Sequence, residues 1–305
     1  MSDSNVVRLP VSPLDRVLGQ LEARYGGEPA PEIHEFETVS ASALAAPLPD
    51  VPYLVDALAV GPGAPVLVAG FGFGGKTLSM QSLLLSVASG RPAWGVWQVK
   101  QGRALHLDWE QGHRVTAQRY QRLARGMGVE LADLEGKLDA VIHPRVQLDG
   151  PEALVESTYA RLFEGRAVVL VDSLRAAAPG LDENSSEIRR PLDLLNRIAE
   201  KTGTTVIVIH HARKPTQESS SPRYTIRGSG GLYDACGSVF VLGAEKGQPT
   251  RVSHEKDRNR GRTVEDFGLR FEDADMGRAL RVVHLDLPQY LAALPPKPGK
   301  QRFGG

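Results

Sequence analysis

Gly70-Phe-Gly-Phe-Gly-Gly-Lys-Thr77 fits the phosphate-binding pattern G-x-x-x-x-G-K-[ST]. Pro65-Val-Leu-Val-Ala69 before it reads as a short buried strand, and Leu78-Ser-Met-Gln-Ser-Leu-Leu-Leu-Ser-Val-Ala88 after it reads as a helix. A glycine-rich turn between strand and helix can aim backbone N–H groups inward, and the helix N-terminus adds positive potential. Gly70, Gly72, Gly74, Gly75, Lys76, Thr77 and Leu78 form the expected nucleotide-binding set. Lys76 is expected at the β- and γ-phosphates and the Thr77 hydroxyl at Mg²⁺, which makes ATP and Mg²⁺ the expected ligands.

Working outward, the chain from Tyr53 to about Leu242 alternates apolar runs with helical patterns. Strands are expected at Val66–Ala69, Ala104–Asp108, Ala140–His143, Ala167–Asp172, Thr205–His210 and Ser238–Leu242. That rhythm predicts an α/β fold, a mostly parallel twisted sheet with helices on both faces. Arg251–Glu255, Gly268–Glu272 and Ala279–Leu285 are strand-like but lack intervening helices, so they are expected as antiparallel additions at one edge. The expected organisation is an N-terminal helix and linker over 1–51, an ATPase domain over 52–290 and a flexible tail over 291–305. Ser12, Pro13 and Asp15 mark the start of that first helix, and Leu14, Val17, Leu18, Leu21 and Tyr25 share one face of it. Its apolar stripe suits either the chain's own core or a neighbouring subunit.

The 305 residues carry 36 acidic and 36 basic side chains, so any nucleic-acid contact must come from local patches rather than a net field. The single cysteine, Cys236, forms no internal disulfide and reads as a small buried residue. No apolar stretch approaches the roughly 20 residues of a membrane span, and the expected compartment is the cytoplasm.

Three further strand ends carry chemistry. Arg166-Ala-Val-Val-Leu-Val-Asp172 ends in a carboxylate, and a strand beside the phosphate-loop strand would bring Asp172 to the Mg²⁺ end of the site. Arg103-Ala-Leu-His-Leu-Asp108-Trp-Glu110 supplies Glu110 as the carboxylate that polarises the attacking water, with Asp108 as the alternative. Thr205-Val-Ile-Val-Ile-His210-His211 places two histidines where either can sense the γ-phosphate and report its loss to the following loop. Ser173 follows Asp172 where AAA+ proteins carry their catalytic glutamate, whereas Glu110 stands where RecA-type ATPases carry theirs.

With these parts placed, the chain resembles the RepA-like hexameric helicases of the RecA/DnaB superfamily, from about Pro52 to Leu285. Pro52-Tyr-Leu-Val-Asp56, the phosphate loop, Gly90-Arg-Pro-Ala-Trp-Gly95, Gly102 to Glu110, Asp172-Ser-Leu, Asp182-Glu-Asn184 and His210-His-Ala-Arg-Lys214 carry the likeness. It implies a homo-oligomeric, hexameric RecA-fold ATPase that moves along single-stranded DNA in replication of a plasmid, phage or other mobile element. A primase, an initiator or another replication protein would be a further partner. It also implies that Lys256 and Arg258, in Glu255-Lys-Asp-Arg-Asn-Arg-Gly261, reach the neighbouring subunit's nucleotide. Lys214, Arg223 and Arg227, in the polar segment between Arg213 and Gly231, would contact the DNA backbone. Arg119 and Arg122 are candidates to stack on the adenine. Two other classes stay open: a RecA-like ATPase that acts as a DNA-bound clamp, recombination mediator or defence component without unwinding, and a nucleotide-gated switch or kinase acting on protein.

Overall fold

Val66-Leu-Val-Ala-Gly70 and Val168-Val-Leu-Val-Asp172 are apolar on both faces, the pattern of strands covered from both sides, and every residue in each is buried. The computed structural model of the chain describes residues 38–72, 74–182, 185–211 and 230–295. The chain divides into two compact units, Met1–Asp50 and Val51–Gly305. In the first, the described residues include one short helix, α1 (Ala41–Leu44), capped by Ser40, whose hydroxyl accepts from the Ala43 amide at 3.2 Å. The helix expected from Ser12 and the tail beyond residue 295 lie outside the described residues.

The second unit runs β1 (Val66–Gly70), α2 (Lys76–Ser89), β2 (Ala104–Asp108), α3 (His113–Met127), β3 (Leu138–Ile142), α4 (Glu152–Phe163) and β4 (Val168–Asp172). It continues with α5 (Leu174–Ala177), α6 (Arg190–Thr202), β5 (Thr205–His211), α7 (Gly230–Ala235) and β6 (Ser238–Gly243). Then come β7 (Thr250–Asp257), β8 (Phe267–Ala274), β9 (Ala279–Leu285) and α8 (Leu287–Ala292). The nine strands of the described residues form one sheet in the order β3-β2-β4-β5-β1-β6-β7-β8-β9. Neighbours from β3 to β6 pair in parallel, and β7, β8 and β9 extend the β6 edge in antiparallel fashion, as expected.

One expectation is corrected. The Asp172 strand, β4, is not beside β1, because β5 lies between them. A strand order depends on which crossovers the helices make, and no local pattern records that. Asp172 still reaches the phosphate loop, because it lies at the carboxyl end of β4, where all the parallel strands deliver their last residues.

Side chains alternate across the sheet, so the two faces feed two apolar cores. Val66, Val68, Ala104, Val168, Leu170, Ile207 and Ile209 lie in one, together with Leu84 of α2 and Leu123 of α3. Leu67, Leu105, Leu107, Val169, Val171, Val206 and Val208 lie in the other, with Val155 of α4 and Leu195 of α6. Cys236, between α7 and β6, is fully buried, and burial pushes its thiol up to about 12, so it behaves as a packed apolar residue rather than a nucleophile. Among the described residues no helix is long and apolar enough to cross a membrane.

Two histidines of the antiparallel extension are held neutral. His254 Nδ1 accepts from the Val264 amide at 3.2 Å, so its proton sits on Nε2, which faces Ser238 Oγ at 2.9 Å, and the ring stacks on Phe240. His284 packs edge-on against Trp97, with ring centroids 4.5 Å apart. Burial lowers the pKa of both below the ordinary 6.5, although Asp257 and the Lys256 carbonyl oppose it at His254 and Asp286 opposes it at His284. The unfolded chain therefore binds protons below about pH 6.5 that the fold refuses, and stability falls as pH drops from there towards the lowered folded values. The urea midpoint is expected to be lower at pH 5.5 than at pH 7.5, and His254→Asn is expected to show a smaller acid loss than the parent chain.

Candidate nucleotide site

The loop between β1 and α2 closes on itself. Lys76 Nζ donates to the carbonyl of Gly70 at 2.9 Å and to that of Phe71 at 2.7 Å, which folds the ammonium over the turn. Burial holds the Lys76 pKa below its ordinary value, while Asp172 and Glu110 pull it back up. Gly75 needs to be glycine. Its φ is +71°, and an added Cβ would lie 2.3 Å from the ring of Phe271, which β8 lays against the start of α2.

Thr77 Oγ1 donates to Asp172 Oδ2 at 2.8 Å, across the sheet from the phosphate loop. The other carboxylate oxygen, Oδ1, is buried without a hydrogen-bond partner among the described residues. A buried anionic oxygen left open beside a threonine hydroxyl suits a hard cation and its water shell, so these residues fit Mg²⁺. No cluster of three or more His, Cys, Asp or Glu among the described residues is arranged to hold a metal unaided, so phosphate oxygens would have to complete such a shell.

Glu110 stands opposite. Ser173 Oγ donates to Glu110 Oε1, and His211 Nε2 lies 3.3 Å from the same oxygen. The His211 contact holds the Glu110 carboxyl below the usual carboxylate range; partial burial opposes it, and Ser173 and Lys76 reinforce it. Glu110 is thus ionised at neutral pH. Asp108, the alternative base, is already engaged. Its Oδ1 accepts from the amides of Glu110 at 2.9 Å and Gln111 at 2.8 Å, and its Oδ2 accepts from Thr116 Oγ1. Asp108 therefore shapes the turn that presents Glu110, an Asx-type role, and is fully buried with both of its oxygens engaged.

The alternation of β5 separates the two histidines. Ile207, Ile209 and His211 share the face that α2 covers, whereas His210 follows Val206 and Val208 to the opposite face and is fully buried. His211 therefore lines the cleft and His210 does not. The cleft holds about 370 Å³ between the phosphate loop, Glu110, Gln111, Arg119, Asp172 and His211. Arg119 enters it from α3 with Nη1 buried and without a hydrogen-bond partner among the described residues. Arg122, one turn further on, is elsewhere: it pairs with Asp273 and donates to the Gly277 carbonyl at 2.8 Å on the β8–β9 hairpin. Arg122, expected at the adenine, is thus not among the residues that line the cleft.

Lys256 and Arg258 do point to one side, but within the same chain they meet the end of α7. Lys256 Nζ donates to the Tyr233 carbonyl at 2.6 Å and lies 4.9 Å from the Tyr233 ring centroid, while Arg258 donates to the Asp234 carbonyl. Arg260 turns away, onto Asp56 and the face of Tyr53. Lys214, Arg223 and Arg227 lie outside the described residues. Sequence reasoning missed Ser173 as a neighbour of Glu110; no local signal marks it, because the fold alone brings the β2 and β4 ends side by side.

A family model described as an AAA domain, AAA_25, matches residues 29–217. The fold is similar to that of a RadB recombinase, with a TM-score of 0.52 and 19% identity over 72% of this chain and 91% of that one. A KaiC-like protein from Pyrococcus horikoshii OT3 is also 19% identical over 72% of this chain and 89% of its own, with a TM-score of 0.47. A search of curated proteins returns no match. With well over half of its length matched, its phosphate loop formed and its fold RecA-like, the chain belongs to the AAA_25 family of AAA-domain proteins and is a RecA-like P-loop ATPase.

Proposed function

We propose that the protein is an ATP-driven motor on single-stranded DNA, of the RepA-like helicase kind, that hydrolyses Mg-ATP between the subunits of a homo-oligomeric, hexameric ring. The observation that carries this reading is the Glu110–His211 contact, 3.3 Å long, at the last residue of β5. His211 opens directly onto the segment that holds Lys214, Arg223 and Arg227, so the residue that orients the attacking water is one step from the proposed DNA contacts.

In this reading Lys76 leaves the Gly70 and Phe71 carbonyls for the β- and γ-phosphates, and the loop amides replace part of the phosphate's hydration. Thr77, and Asp172 through water, would hold Mg²⁺, which would supply charge neutralisation on the phosphate oxygens. Glu110 accepts a hydrogen bond from the attacking water; its lowered pKa makes it an orienting acceptor more than a strong proton sink. Arg119, from α3, would meet the nucleotide on the open side of the cleft. Lys256 and Arg258 would stabilise charge at the neighbour's γ-phosphate, which requires them to leave the end of α7.

The test compares ATP turnover with and without single-stranded DNA and scores strand displacement on a forked duplex. Stimulation with displacement supports the motor; stimulation without displacement supports the second reading, a DNA-bound clamp or recombination-type ATPase, the class to which the RadB recombinase of similar fold belongs by name. Neither stimulation nor DNA binding would leave a protein-directed switch. The trans arrangement has its own experiment. Mixing Lys76→Ala subunits with Arg258→Ala subunits, each inactive alone, is expected to restore roughly a quarter of parental turnover through the interfaces that pair an intact loop with an intact finger. A mixture as inactive as its components would sink the shared site.

A further inference from the structure

The metal side of the cleft depends on what holds Asp172 from within the sheet. Thr77 fixes Oδ2 at 2.8 Å and leaves Oδ1 open. On β2, His106 shares a face with Asp108, and it pairs across the ladder with Leu170, two residues before Asp172 on β4. Its Nε2 lies 3.7 Å from Asp172 Oδ2, with both side chains at most 1% exposed. That distance is longer than a hydrogen bond, and neither ring nitrogen has a hydrogen-bond partner among the described residues.

The surroundings make this placement unusual for a core. His106 sits edge-on to Tyr120 of α3, with ring centroids 6.0 Å apart, and the buried Tyr120 hydroxyl also has no hydrogen-bond partner among the described residues. Gln81 on α2, the helix over the same face, is buried with both amide atoms in the same condition. A helix–sheet layer packed only for stability places aliphatic side chains here, because an unpaired buried polar group costs stability. The charged atom beside the imidazole is Asp172 Oδ2.

Resting on the nucleotide-site reading above, we propose that His106 is a positioning residue for Asp172. With its proton on Nε2, the imidazole acts as a second donor to Oδ2, directly after a small carboxylate shift or through one water. Thr77 and His106 then hold Oδ2 from two sides, and Oδ1 is the oxygen turned towards the metal-bound water. The effect is on the metal, not on the nucleotide's contacts with the loop amides. A partner of this kind, one step behind a metal ligand, changes metal affinity by about tenfold or more.

The test titrates Mg²⁺ into the full chain with a fluorescent ATP analogue and also measures binding of the analogue without metal. His106→Leu is expected to bind the metal-free analogue like the parent, to melt no lower, and to need about tenfold more Mg²⁺ for half-maximal effect. His106→Gln keeps an N–H donor and is expected within about threefold of the parent. Should His106→Leu not fold, His106→Phe, which keeps the ring contact with Tyr120, carries the same expectation. Parental Mg²⁺ dependence in the folded apolar variant overturns the proposal, as does an equal loss of metal-free binding, which would mark a merely structural role. Asp172→Asn is run alongside: if it leaves the Mg²⁺ dependence unchanged, the nucleotide-site reading itself fails, an outcome distinct from failure of His106 alone.

Discussion

Glu110→Gln is expected to lower ATP turnover by about 10² to 10⁴-fold while leaving ATP binding within a few-fold of the parent. Glutamine has the shape of glutamate, and its carbonyl can still accept from Ser173 Oγ and meet His211, so the turn after β2 should hold. What disappears is the negative charge that the attacking water needs as it loses its proton. Because the substituted group touches water rather than phosphate, the loss should appear in kcat and hardly in the affinity for nucleotide. Single-turnover hydrolysis and equilibrium binding of a fluorescent analogue separate the two quantities. A Glu110→Gln protein with parental kcat would remove Glu110 from the chemistry; Asp108, fully buried with three donors on its carboxylate, is poorly placed to replace it.

Gly126→Ala should be among the most damaging small substitutions in the chain. In an ordinary helix interior, alanine in place of glycine gains about 0.5–1 kcal/mol, because it loses less backbone entropy on folding. Here the sign is expected to reverse. A Cβ at position 126 would stand 2.0 Å from the Leu280 carbonyl oxygen and 2.5 Å from its carbon, so α3 and β9 would have to part. Overpacking against backbone, which cannot rotate out of the way, is expected to cost about 3 kcal/mol, read as a lower urea midpoint at unchanged slope. The damage should spread to the site. Arg281 Nε donates to the Gly126 carbonyl at 3.1 Å, and Arg122 ties α3 to the β8–β9 hairpin, whose Phe271 rests on Gly75. Nucleotide affinity is therefore expected to fall along with stability. A variant more stable than the parent would show that the two elements separate freely.

The parts of the site that were legible in sequence are those written in consecutive residues. The loop from Gly70 to Thr77 and the apolar runs ending at Asp108 and Asp172 each carry their own local signature, and the six parallel strands fall within two residues of their expected bounds. What stayed hidden depends on non-local packing. That β5 separates β4 from β1 follows from the crossovers. The choice between His210 and His211 needed the knowledge of which face of β5 meets α2, although the alternation itself was visible in Val206 to His211. Arg119 and Arg122 are three residues apart and looked equivalent, yet the β8–β9 hairpin, more than a hundred residues later, claims one of them. Asp108 looked like a base because a carboxylate near a catalytic strand end says nothing about how many donors surround it.

The grip of Lys256 and Arg258 on the end of α7 has a consequence for assembly. The last carbonyls of a helix are short of donors, and these two cations satisfy them. If a neighbour's triphosphate draws the cations away, those peptide oxygens must find water, and the bond from the Tyr233 hydroxyl to the Glu255 carbonyl, at 2.8 Å, is left to tether α7 to β7. On that reading a lone subunit keeps its reagents sheathed, and each joint of the ring is armed only when the next chain arrives already loaded.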